Sequence, residues 1–105
     1  MSCPLDSING LPPHTKDDAR AIFRKACRDG AVVSTKHSRK RMHEYQIDNN
    51  DILNFARIGI VRNAPEIDIK TNEWCYRIES DAHRVKVVFT ILGSRRVRLI
   101  TVITD

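Results

Sequence analysis

The hydrophobic period of this chain changes once, near residue 60, and that change constrains the fold more than any other feature. Up to Gly59 the apolar residues recur at intervals of three and four, the signature of helices with one buried face. From Ile60 they alternate with polar residues, the signature of half-buried strands. Thr15 and Asp18 stand in capping-box spacing ahead of Ala19, Ile22, Phe23, Ala26 and Cys27. Arg20, Arg24, Lys25 and Arg28 occupy the remaining face of this first helix, and Gly30 is its expected stop. A short β-type run over residues 31–35 leads into a second helix over 36–45. Asp48 is the expected N-cap of a third, with Ile47 and Ile52 as a hydrophobic staple around it and Gly59 at its end.

Beyond the switch, residues 60–62, 66–69, 74–78, 85–92 and 97–104 read as strands, each bounded by Asn, Pro, Gly, Ser or Asp. Gly93-Ser94 fits a two-residue hairpin turn. Strands this closely spaced pair antiparallel, because a parallel pair needs a long crossover. The expected fold is therefore α+β, with two or three helices on one face of a mostly antiparallel sheet of four or five strands. The 105 residues amount to a single domain over residues 15–105. Residues 1–14, with Pro4, Gly10, Pro12 and Pro13 and no periodicity, read as a mobile arm.

Composition narrows the function classes. Eighteen Lys and Arg against thirteen Asp and Glu leave a net charge of +5, which favours an anionic partner. The three cysteines match no zinc or redox spacing, and His14, His43 and His83 do not combine with them into a metal-ligand pattern, so no metal or other cofactor is expected. No Gly-rich phosphate loop and no G-x-S-x-G is present, which leaves nucleotide hydrolysis and serine-hydrolase chemistry without support. With no charged leader and no apolar run of membrane-spanning length, the chain reads as soluble and cytoplasmic, with no membrane partner.

The residues with chemistry to offer centre on the second helix. His37, Lys40, Arg41 and Glu44 fall at i, i+3, i+4 and i+7 and so share a face, while Ser38, Met42 and Tyr45 share another. Such a stripe is either a solvated basic face or an acid/base group set beside phosphate-binding cations. If Gly93-Ser94 is the whole turn, Lys86 lies opposite Thr101 and Val88 opposite Leu99. Two polar groups would then interrupt a face made of Val88, Leu92, Val97, Leu99 and Ile103; a four-residue turn breaks this pairing. Trp74 and Tyr76 share one strand face, as core or as a stacking platform. Arg95, Arg96 and Arg98 cluster at the hairpin, as phosphate contacts or as a solvated tip.

The run Thr35-Lys36-His37-Ser38-Arg39-Lys40-Arg41-Met42, followed by Ile47, Asp51-Ile52, Gly59 and finally Ile100-Thr101-Val102, resembles a family of small prokaryotic domains of unknown function. The family pattern is T-x-H-x-x-x-R-M-x-x-R/Y-x-I-x-x-x-D-I, then a glycine, then strands ending in an I-T-V-type motif. The resemblance covers roughly residues 18–105, and Tyr45 stands where the family often has a basic residue. Such domains are similar to the RelE and BrnT class of bacterial toxins, small metal-independent ribonucleases neutralised by an antitoxin. The resemblance implies a RelE-like fold, a toxin-like endoribonuclease of a toxin–antitoxin system, RNA as substrate and a small antitoxin protein as partner. Metal-independent cleavage needs a base for the 2′-OH proton, an acid for the leaving 5′ oxygen and cations at the phosphate. The expected catalytic set is His37 as acid/base, Arg41 as phosphate clamp, and Lys86 with Thr101. The expected nucleic-acid contacts are Lys40, Arg77, Arg95, Arg96 and Arg98. The alternative is a non-catalytic RNA- or protein-binding module that uses the same basic face.

Overall fold

The structure, a computed structural model, describes residues 14–104. The arm expected over residues 1–14 lies outside the described residues, except for His14. Three helices, α1 (Lys16–Asp29), α2 (Lys36–Glu44) and α3 (Asn49–Ile58), accompany five strands. The strands are β1 (Val32–Ser34), β2 (Glu66–Asp68), β3 (Glu73–Glu79), β4 (Val85–Gly93) and β5 (Arg96–Thr104), in one sheet of order β1-β5-β4-β3-β2. The α+β class, the N-terminal helices and the mostly antiparallel sheet are as the sequence predicts.

Local chemistry explains the helix boundaries. The Asp18 amide donates to the Thr15 hydroxyl (3.1 Å), Asp17 and Asp18 place negative charge at the positive helix start, and Gly30 ends α1 at φ 72°. At α3 the capping is reciprocal: the Asp51 amide donates to Asp48 Oδ1 (2.9 Å), and the Asp48 amide donates to Asp51 Oδ2 (3.0 Å). Ala19, Ile22, Phe23 and Ala26 of α1 and Ile52, Phe55 and Ala56 of α3 are buried against the sheet. Phe23 meets Phe89 at 4.7 Å between ring centroids, and Tyr76 stacks on Phe89 at 5.9 Å. Tyr76 is wholly buried and Trp74 packs against the same cluster, so this aromatic pair is core rather than a stacking platform.

The polar side of α1 is not simply solvated. Lys16 Nζ donates to the Arg62 carbonyl (3.1 Å), and Arg20 Nε to the Gly59 carbonyl (2.7 Å). Arg24 donates to the Ala56 and Arg57 carbonyls (2.7 and 2.8 Å). Arg20 and Arg24, four residues apart along α1, take up carbonyls that the end of α3 leaves without intrahelical partners, and Lys16 takes one in the segment beyond it.

Two strand expectations change. The run over 60–62 reduces to one bridge, Ile60 with Glu79, closed by bonds of 2.8 and 2.9 Å. The short run ahead of α2 forms a strand, β1, as expected, but it pairs parallel with β5, Val32 with Val97 and Ser34 with Leu99. This parallel pair is possible because α2, α3 and three strands intervene as the crossover.

The hairpin register also differs from the expected one. Gly93 pairs with Arg96, so Ser94-Arg95 forms the turn, and the register shifts between Ile91 and Gly93 and again between Val88 and Phe89. Lys86 therefore lies opposite Ile103 and Val88 opposite Thr101; the Lys86–Thr101 and Val88–Leu99 pairs do not form. The second shift leaves Ile100 as an extra residue in β5. An extra residue reverses the inside–outside alternation, so Val97 and Leu99 before it and Val102 after it are all buried. The apolar face expected around Lys86 thereby loses Val97 and Leu99 to the helix side.

Candidate functional site

α2 is positioned by its N-cap, Thr35, and by its buried side. The Ser38 amide donates to the Thr35 hydroxyl and the Ser38 hydroxyl to the Thr35 carbonyl, both at 2.9 Å. Ser38 and Met42, one turn apart, are the buried positions. β1 pairs with β5 only as far as Leu99, and α2 takes over the strand edge beyond it. Thr35 Oγ1 donates to the Ile100 carbonyl and Arg41 Nε to the Val102 carbonyl, both at 3.4 Å.

That geometry decides what Arg41 does. Besides Val102 it donates to the Tyr45 hydroxyl (3.0 Å) and to Glu44 (3.4 Å), and its guanidinium carbon lies 5.0 Å from the centre of the Tyr45 ring. The planar fork expected to clamp phosphate is occupied by the fold. Tyr45, the position that departs from the family pattern, supplies one of its partners.

His37 and Lys40 project from α2 into solvent with Lys36 beside them. Among the described residues none of the three makes a side-chain hydrogen bond or an ion pair. The first turn of α1 follows Lys16 with Asp17 and Asp18, and that of α3 holds Asp51, whereas α2 has no acid in its first turn and opens with Lys36 and His37.

The strand cations are differently placed. On the face of the sheet away from the helices, Arg98 Nη1 lies 3.1 Å from Glu73, Lys86 Nζ 3.4 Å from Glu79, and Arg77 pairs with Glu66. Glu79 stands directly opposite Lys86, Glu66 is diagonal to Arg77, and Glu73 reaches Arg98 across the intervening β4. Thr101 belongs to this same face, diagonal to Lys86 rather than opposite it. The expected catalytic set is thus dispersed: His37 stands in solvent, Arg41 is pinned at the strand edge, and Lys86 and Thr101 share the helix-free face. Arg95 and Arg96 are exposed at the hairpin.

One cluster has no sequence signal. His83, in the β3–β4 turn, stacks on Phe55 at 4.4 Å with Nε2 3.4 Å from Asp51 Oδ1, and its Nδ1 is buried without a partner among the described residues. The Asp51 carboxyl is held below its ordinary value, chiefly by the Asp48 amide it accepts; partial burial opposes this and His83 adds to it. The pair joins positions 32 apart, so no local spacing could reveal it. Burial pushes the Cys27 and Cys75 thiols up to about 11, and for Cys75 the neighbouring carboxylates of Asp68, Glu73 and Glu66 add to this. Both are protonated at neutral pH and are poor nucleophiles. No helix among the described residues is long and apolar enough to cross a membrane. No family model, curated protein or solved structure matches this chain.

Proposed function

We propose that this chain binds RNA through the solvent face of α2, with Lys36, His37 and Lys40 at the phosphates. The observation that carries this reading is the charge at the start of α2. Cations at the positive end of a helix are unfavourable by about 0.3–1 kcal/mol each, and a bound phosphate would offset that cost. The same protein uses carboxylates at its other two helix starts. The net charge of +5 agrees in sign. Arg96 stands about 13 Å along β5 from Ile100, where α2 begins, so the hairpin arginines lie within reach of the same strand.

Toxin-like ribonuclease activity, with a small antitoxin as partner, is the second reading. What favours it is the exposed, unengaged imidazole of His37 between two lysines, in the motif that resembles the toxin-like family. It ranks below binding because Arg41 and Lys86 are both held by other groups of the fold.

Titrating a fluorescent single-stranded RNA at several salt concentrations tests the first reading. Lys36→Ala with Lys40→Ala should weaken binding roughly tenfold and reduce the slope of log K against log salt by about 1.4, at ~0.7 per single-strand phosphate contact. Unchanged affinity and slope would refute it. Cleavage by the wild type in chelator, lost in His37→Ala, would establish the ribonuclease; binding without cleavage identifies a binding module.

A further inference from the structure

The helical side of the molecule carries a groove that the RNA reading does not use. Between α1 and α3 a cleft is floored by Cys27, Leu53 and Ala56 and rimmed by Arg24, Arg28 and Arg57. Through Cys27 and Leu53 it opens into a second, of about 290 Å³, lined by Val32, Ile52 and Leu99. Through Val32 and Ser34 that one continues along α2 to Arg39. Leu53 and Ile58 of α3 are half exposed, at 50% and 49%.

We propose that this groove docks an acidic amphipathic helix of another protein. The floor calls for apolar side chains at helical spacing, since Leu53 faces solvent beside Cys27 and Ala56. The rim calls for carboxylates. Among the described residues Arg28 has only an exposed contact with Asp29 (3.6 Å) and Arg57 only the neutral Asn54 amide. Among the described residues that line it the one carboxylate is Asp48, whose Oδ1 already accepts from the Asp51 amide. A nucleic-acid backbone fits the rim but not the floor, because phosphates would lose water over Leu53 and gain nothing from it. The apolar floor therefore distinguishes this surface from the solvated face of α2.

The test uses a labelled peptide of about 18 residues, five turns of helix, with leucines at i, i+3, i+4 and i+7 on one face and glutamates elsewhere. Its binding to the full chain is followed by amide chemical shifts. Shift changes at Cys27, Val32, Asn49 and Leu53 are expected. Leu53→Glu should weaken binding roughly tenfold, and Arg28→Glu, an exposed change in the last turn of α1, should do so several-fold with the fold intact. Absence of binding overturns the proposal. So does equal binding of a peptide whose leucines are replaced by serine, because charge alone would then suffice. A single-stranded RNA that shifts the same amides would assign the groove to nucleic acid and overturn it as well.

Discussion

At Gly59 the backbone conformation is one that any residue adopts, with φ −73°, yet the position has no room for a side chain. A Cβ there would sit 2.4 Å from the Phe55 carbonyl oxygen, 2.9 Å from Ile78 Cγ1 and 3.2 Å from the Glu79 carbonyl oxygen. Two of those neighbours are backbone atoms, which do not move aside cheaply. Gly59→Ala should destabilise the protein by about 1–3 kcal/mol, read as a lower urea midpoint at an unchanged slope. The sequence marked this glycine as a helix stop and missed its second role, because the strand that crowds it lies about twenty residues further on. Asp51 makes a different prediction. Its carboxyl titrates below its ordinary value of 3.8 in the folded protein, so it contributes stability above that value. The contribution is lost as pH falls from there through the lower folded value. Asp51→Asn should therefore melt below the wild type at neutral pH, and the gap should narrow as the pH is lowered below about 4.

Among the elements, α1 and α3 are joined by charge as well as by packing. Arg20 is half-buried and directs its Nε to the Gly59 carbonyl at 2.7 Å, so Arg20→Met should cost about 1.5–3 kcal/mol. The thermal midpoint should fall by roughly 4–8 °C per kcal/mol, and the exposed Lys16→Met should lower it less. Helix boundaries were legible because caps and stops are local: Thr15, Asp48 and Gly30 act within a few residues of their own positions. The partners of Arg20 and Arg24 were not, since both read as a solvated stripe until their acceptors 39 and 32 residues away are known. The extra residue at Ile100 was hidden for a related reason. Ile, Thr and Val alternate plausibly in either phase, and only the turn at Ser94-Arg95 and the pairing it sets show where the alternation reverses.

For the molecule as a whole, total charge is a poor guide to available charge. Arg77, Lys86 and Arg98 were expected to meet RNA because the sequence shows cations in strands; it does not show that Glu66, Glu79 and Glu73 come within reach of them on the same sheet face. The cations of α2 were legible as a group, but the division between Arg41, held by β5 and Tyr45, and the exposed Lys36, His37 and Lys40 needed the packing of α2. Salt should separate the two populations. Partly exposed pairs such as Arg98–Glu73 contribute at most about 1 kcal/mol, so Glu73→Gln should move the thermal midpoint by only a few degrees and raised salt should scarcely unfold the protein. RNA affinity through α2 should fall steeply over the same range.

The carbonyls that receive Arg20 and Arg24 are backbone atoms, and they are the same whatever side chains the outer positions of α3 carry. α1 is therefore fastened to α3 by a contact that makes no demand on the identity of Leu53, Asn54 or Arg57. Those positions can be randomised in a library without loosening that joint, so what the groove accepts can change while the scaffold beneath keeps its shape.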